Sequence, residues 1–265
     1  MISPLAFVDP GAKLGNNITV HPFAFIDKDV EIGDNCEIMP YASIMHGSRL
    51  GNGIKVFNGA VVGADPQDFR WKGEHTLCKI GDNAIVREQV IINRSIHEEK
   101  ATVIGANVVL MAETHIGHDS DIAEWCVLGN GSQIAGDVRI GFASILSTGV
   151  KVNAGSRLGD WVFIKGGCRI SGNVPPYVIM AHNPAAYYGV NAMIMRDRAE
   201  RFTEDEIDDI AKAYRHIYQC NVSLFNAVKR IQADIKPSAP RDAILKFISE
   251  CNNKLIALPK VDMYD

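Results

Sequence analysis

The sequence has no apolar run of 18 residues, so no segment is built to span a bilayer as a helix. Its first stretch, "MISPLAFVDP", lacks the basic n-region and long apolar h-region of a secretory signal, so the expected compartment is cytoplasmic. It also lacks a strong charge of either sign. A net charge of −4 argues against general nucleic-acid binding, since no basic excess is there to meet phosphates. Cysteine is present six times but without metal-ligand spacing at Cys78, Cys220 or Cys251. Cys36, Cys126 and Cys168 fall at equivalent inward positions of a repeat. Buried free thiols acting as small apolar groups are therefore expected, and disulfides are not. What is there is 265 residues, 47% hydrophobic, enough for one large domain and a small one.

The dominant feature is a period of six. Stepping from Leu14 gives Val20, Ile26, Ile32, Ile38, Ile44, Leu50, Val56 and Val62, all aliphatic. The series resumes at Ile80, Val86 and Ile92, then runs from Ile104 through Ile116, Ile134 and Val152 to Ile170. Two residues before each aliphatic stands a small or β-branched residue, such as Ala24, Cys36, Ser48, Thr114, Ser120 or Ser144. A helix would need spacings of three and four, so it is rejected. Six residues make a short strand and a corner, and three such units close a triangular coil whose parallel strands stack about 4.8 Å apart. Glycine often follows the aliphatic, as in "IGDN" and "LGNG". There it is expected to supply a positive φ at the turn.

Two polar stretches interrupt the series, at 63–79 and 93–102, and long departures from a regular solenoid are usually functional or disordered. After Ile170 the pattern stops, and the Pro175–Pro176 pair is expected to block further strand pairing. Thr203 and Glu206 form a capping box ahead of Ile207, Ile210, Tyr214 and Ile217, a helical stripe. Two more amphipathic segments follow near 222–235 and 240–256. The expected layout is a coil over 1–190 and a helical domain over 191–265.

"AETHIGHDSD" places His115, His118 and Asp119 within five residues. Ile116 points inward, so His118, past Gly117, should face outward. Eighteen residues on from His118 is Gly136, and eighteen and thirty-six on from His115 are Gln133 and Lys151. One flat outer face thus carries all five. Lone surface histidines are most often merely solvated. Zinc would need a third ligand in register, and Gln133 and Lys151 are poor companions, so no metal is expected. A flat face does not enclose a ligand, so a second copy should close it, which points to a cyclic homotrimer with the 63–79 loop lining a neighbour's groove.

"HIGHDSDI" resembles the H-I-x-H-D segment of the acyl carrier protein–UDP-N-acetylglucosamine O-acyltransferases, which start lipid A biosynthesis. "PQDFRWKGE" (66–74), "IGDNAIVREQVIIN", "NVPPYVI" and "GVN" (189–191) are similar to further segments of that family, in order along nearly the whole chain. The resemblance implies a left-handed parallel β-helix, a hexapeptide-repeat solenoid, with a C-terminal α-helical domain. It implies transfer of a 3-hydroxyacyl group from an acyl carrier protein thioester to the glucosamine 3-hydroxyl, with no cofactor. In that frame His118 matches the general base, Asp119 its acidic partner, and Gly136 the residue whose N–H meets the oxyanion. Gln67, Asp68, Arg70, His115, Lys151 and Asn191 match substrate-binding positions, with Asp68 toward a substrate hydroxyl and Arg70 toward phosphate. Gly166 matches the position that limits acyl length, with Lys165 beside it as a possible gate. Arg196, Arg198 and Arg201 form a basic patch suited to the acidic carrier protein.

The chain departs from the family pattern at Asn93, Asp137, Lys151 and Val152, positions the resemblance places in the nucleotide and acyl grooves. The competing readings are an N-acyltransferase of the same pathway, which usually carries a domain before the repeats, a coenzyme A–dependent acetyltransferase, and a non-catalytic solenoid scaffold.

Overall fold

In a computed structural model, which describes residues 1–198, 200–252 and 254–255, the six-residue repeat closes a triangular coil. Strands of mostly two residues form three sheets. The first face has nine strands, from Phe7–Val8 to Arg169–Ile170. The second has eight, from Lys13–Leu14 to Arg157–Leu158. The third has ten, from Thr19–Val20 to Ala186–Val190. The fold is the left-handed parallel β-helix with C-terminal helices.

Register follows the period. Ile26 pairs with Ile44, and Ile116 with Ile134, eighteen residues per coil. Val62 pairs with Ile92, and Ile92 with Ile116, steps of thirty and twenty-four. The excursions therefore insert twelve and six residues, whole multiples of the repeat, so the aliphatic series resumes in frame. Pairing reaches further into them than the sequence suggested. Leu77 to Ile80 pairs with Ala101 to Ile104, because these two ends run side by side on the second face. The unpaired stretches are 65–76 and 94–100.

The aliphatics fill the coil. Ile26, Ile44, Ile92, Ile116, Leu128 and Ile164 are fully buried. Truncating one, as in Ile116→Ala, should cost about 2–5 kcal/mol, because neighbouring coils cannot collapse into the gap. The small residues two places earlier also satisfy corner carbonyls one coil on. Ser120 Oγ donates to Ala135 O at 3.1 Å and Ser144 Oγ to Gly159 O at 2.9 Å, with Cys126 Sγ on Gly141 O at 3.1 Å. All six cysteines are free, and of these only Cys220 is exposed.

The glycine after each aliphatic has a different purpose from the one expected. Positive φ falls two residues later, at Asn35 (59°), Asn83 (58°), Asp119 (57°), Gly131 (66°) and Ala143 (53°). The glycine itself allows close stacking. A Cβ on Gly81 would lie 2.5 Å from Ala106 N, and one on Gly117 would lie 2.7 Å from Gly136 N.

The proline pair does not end the sheet. Pro176 occupies a corner, and Val178–Ala181 pairs parallel with the coil before turning back antiparallel into Ala186–Val190. Among the described residues four helices follow: α1 (Ala192–Asp197), absent from the sequence expectation, α2 (Glu204–Tyr218), α3 (Leu224–Asp234) and α4 (Ala239–Glu250). Residues 253 and 256 of the expected last segment lie outside the described residues. The capping box on α2 forms as read, with Thr203 accepting from Glu206 N–H and Glu206 from Thr203 N–H. Ile207, Ile210 and Tyr214 are buried, and Tyr187 of the last strand stacks on Tyr218 at 4.4 Å, docking α2 on the coil. Among the described residues no helix is long and apolar enough to cross a membrane.

Candidate active site

His118 and Asp119 sit where a first-face strand, His115–Ile116, turns a corner. Neighbouring residues in a strand point to opposite sides. Asp119 escapes that rule because its left-handed φ of 57° swings its carboxylate back beside the ring. His118 Nδ1 lies 2.8 Å from Asp119 Oδ2, with the two side chains only 12% and 10% exposed. Asp119 is itself fixed. Ser95 Oγ donates to its Oδ1, Ile96 N–H to its Oδ2 at 3.2 Å, and its own N–H donates to Thr102 Oγ1 at 2.8 Å. Burial by itself would raise this acid, but the bonds from Ser95, His118 and Ile96 outweigh it and hold the carboxyl below its ordinary range. An ionised Asp119 can only accept, so Nδ1 donates to it, which leaves Nε2 as the nitrogen that faces the substrate side.

Gly136 lies one coil on, against the free side of the ring. A Cβ there would stand 2.4 Å from both Cε1 and Nε2 of His118, so glycine alone leaves the imidazole its place. Among the described residues no acceptor is recorded for the Gly136 N–H. The excursion over 65–76 completes the surround. Asp68 Oδ2 is 3.4 Å from His118 Nε2. Arg70 clasps the same carboxylate, Nε to Oδ1 at 3.0 Å and Nη2 to Oδ2 at 2.9 Å, with its backbone N–H on Oδ1 at 2.8 Å. The Arg70 side chain and backbone bonds hold Asp68 far below the usual carboxylate range. Gln67 is exposed beside it.

Other expected residues are placed as follows. His115, Gln133 and Lys151 stack as strand partners on the first face, continued by Arg169. Burial pushes the His115 imidazole below its ordinary value. Gly166 belongs to the corner at the opposite edge of that face, where a Cβ would meet Thr148 O at 3.2 Å. Lys165 does not lie free beside it, because its ammonium sits 3.5 Å from the Tyr188 ring. Asn191 is 3% exposed and its amide donates to Trp161 O at 2.9 Å, so in the single chain it ties α1 to the coil.

Two positions placed in the grooves by the resemblance are interior. Val152 is core, and Asn93 is 1% exposed with its amide on Asp65 O at 2.6 Å. Of the basic patch, Arg196 pairs with Glu204 at 3.0 Å, and Arg201 stacks over Phe142 and Trp161 at 5.2 and 5.8 Å. Arg198 and Arg201 line a cleft of about 350 Å³ with Trp125 and Phe142. It is distinct from the His118 corner.

His118, Asp119 and Asp137 could bring one ligand atom each within 4.8 Å of one another. The Nδ1–Oδ2 bond already joins two of those three residues. Ser95, Ile96 and Thr102 escaped the sequence reading. Their stretch has no period, and its only signal was that it interrupts one.

A model described as bacterial transferase hexapeptide (six repeats) matches residues 29–64 and 101–136, and one described as UDP-N-acetylglucosamine O-acyltransferase, domain 2, matches 173–256. An acyl carrier protein–UDP-N-acetylglucosamine O-acyltransferase of Stutzerimonas stutzeri is 34% identical over 93% of this chain and 95% of its own length. Its counterpart from Pseudomonas fluorescens is 35% identical over 93% and 94%. The crystal structure of a UDP-N-acetylglucosamine acyltransferase from Bacteroides fragilis superposes with a TM-score of 0.93 at 41% identity, covering 98% of this chain and 100% of that one. At this identity and coverage, the chain belongs to the family of acyl carrier protein–UDP-N-acetylglucosamine O-acyltransferases.

Proposed function

We propose that the chain transfers a 3-hydroxyacyl group from an acyl carrier protein thioester to the glucosamine 3-hydroxyl of UDP-N-acetylglucosamine, with His118 as general base. One observation carries the assignment of the base. His118 has one ring nitrogen fixed by Asp119 and the other presented to Gly136, whose N–H has no acceptor among the described residues. The sugar oxygen attacks the thioester carbon as its proton passes to Nε2, and Asp119 holds the resulting imidazolium. The carbonyl oxygen takes the negative charge, which the Gly136 N–H stabilises. Collapse breaks the C–S bond, and the Nε2 proton goes to the departing thiolate. Asp68, 3.4 Å from Nε2, stands where a sugar hydroxyl would have to enter, with Arg70 and Gln67 beside it. His115 and Lys151 border the sugar nucleotide and Gly166 the acyl chain.

The flat first face favours a homotrimer in which a second copy covers it, in the cytoplasm, with Arg196, Arg198 and Arg201 toward the carrier protein. The coil, taken as 1–190, holds the chemistry, and the helices from 191 hold the docking surface. No metal or cofactor enters the reaction, so turnover should withstand a chelator.

The test is turnover with a 3-hydroxyacyl carrier protein and UDP-N-acetylglucosamine. His118→Ala should lower kcat by at least about 100-fold with sugar-nucleotide binding little changed. His115→Ala should act on KM, and Asp119→Asn should fall between. Near-normal kcat in His118→Ala with abolished activity in His115→Ala would reverse the assignment. An active monomer near 29 kDa by light scattering would exclude the trimer.

A further inference from the structure

Arg94 is 1% exposed, a cation inside a small solenoid, and it touches none of the groups placed at the reaction. Its contacts run to the first excursion. Nη1 donates to Gly63 O at 2.8 Å and Nη2 to Asp65 Oδ1, while the guanidinium lies 5.3 Å from the Trp71 ring. Its backbone N–H holds Ala64 O at 3.0 Å, and Asn93 beside it holds Asp65 O. Nε has no partner. A cation taken out of water with one donor unsatisfied is a poor way to fill space, where an apolar side chain would serve better. The next two residues, Ser95 and Ile96, are the ones that hold Asp119.

We propose that Arg94 is a positioning residue: through Asp65, Gly63 and Trp71 it presses the 65–76 excursion onto the coil so that Asp68 stands opposite His118 Nε2. Residues 93–96 then form one strap. Its first half sets the substrate side of the imidazole and its second half the acid side, and a shift in either is felt by the other. The grip is on the start of the excursion and on Trp71. Inside it Asp68 is tied to Arg70, and Trp71 Nε1 to Glu74 O at 3.3 Å, so the tip moves as a unit when the anchor is lost.

This rests on the function proposed above, and the experiment separates the two. Asp65 is the handle, because its side chain is 61% exposed and its loss leaves the core intact. Hydrogen exchange of amides 67–75 in Asp65→Ala, without any substrate, should quicken by about tenfold while 115–122 keeps its protection. Under turnover, kcat/KM for UDP-N-acetylglucosamine should fall by about tenfold with the thermal midpoint unchanged, since misplacement alone costs rates of that order. The double variant Asp65→Ala/Asp68→Asn should be no slower than Asp68→Asn within about twofold, because one residue acts through the other. Arg94→Lys, which keeps the charge and loses the fork, should match Asp65→Ala in both readouts, and if it does not fold Asp65→Ala carries the test alone. Unchanged exchange at 67–75, or losses that multiply in the double variant, would overturn the proposal. Quickened exchange in an enzyme whose unaltered form shows no turnover would sink the function instead and leave the anchor standing.

Discussion

Two rows of corners run along the coil and treat the same backbone N–H differently. After four second-face strands, the N–H two residues past the aliphatic is capped by a side chain one coil on, while at Asp82, Ala106 and Glu124 no such bond forms among the described residues. Asn16 donates to Asp34 Oδ1 at 2.6 Å, Asp34 to Asn52 Oδ1 at 2.8 Å, Asn52 to Asp82 Oδ1 at 2.7 Å and Phe142 to Asp160 Oδ1 at 2.8 Å. After first-face strands, His118 is followed one coil on by Gly136, and Gly136 by Ala154, neither of which offers a side-chain oxygen. The solenoid can cap this donor and at the candidate site does not. An uncapped donor costs stability, yet it is what an oxyanion requires, and the vacant cap also gives the imidazole its room.

The largest way to break the contrast is Gly136→Ala. Its Cβ would land 2.4 Å from the ring of His118, and displacing the ring should lower kcat by about 100-fold or more while the coil still folds. A circular dichroism melt beside the turnover assay checks both halves. Ala154→Asp sharpens it, by writing the cap of the other row into this one. The new carboxylate should take the Gly136 N–H and lower kcat by about tenfold or more, with thermal stability equal or raised. Unaffected turnover would mean the Gly136 N–H is not the oxyanion donor. Gly166→Met should shift donor preference toward shorter 3-hydroxyacyl chains and leave sugar-nucleotide affinity alone, and an unaltered chain-length profile would move the limit elsewhere.

Smaller effects are expected away from the chemistry. His75 closes the far end of the first excursion, with Nε2 on Asp29 at 2.8 Å and Nδ1 on Glu99 at 3.1 Å. The bond to Asp29, then that to Glu99, raises its pKa above the ordinary value. A raised folded-state pKa means the contribution is complete below about pH 6.5, the unfolded value, and is lost as pH rises through the folded one. His75→Gln should therefore lower the melting temperature at pH 5.5 and hardly at all at pH 9. The effect should stay below about 1 kcal/mol, because the ring is half exposed and its pairs are screened. Smallest is Asp34→Ala in the capped row. It should cost about 0.5–1.5 kcal/mol in a denaturant titration and leave kcat untouched.

Much of the coil was legible because burial enforces a strict period. Any residue at Ile26 or Ile134 that was not aliphatic would break a core one strand wide, so the pattern had to be written in the chain. Val152 shows the same rule prevailing over the resemblance, which had placed it in a groove. The helical part was readable where caps and stripes recur, as in α2. It was not readable in α1, a helix of six residues with no side-chain cap.

The sequence by itself determined the three-sided coil, the inward face of every repeat, and the placement of His118 one coil from Gly136, since an eighteen-residue step is arithmetic once the period is known. Folding alone decided that Asp119 turns back to its neighbour, that the glycines serve close stacking while the turn falls two residues later, and that Asp68 and Asp119 flank one imidazole, with Ser95 behind Asp119 and Arg94 behind the excursion that carries Asp68. Ser95 and Asp119 lie 24 residues apart and Arg94 and Asp65 lie 29 apart, contacts made by segments outside the repeat. Aperiodic segments carry no rule that predicts where they fold back. Their positions follow from a few specific bonds to the coil, and those bonds exist only once the coil has formed.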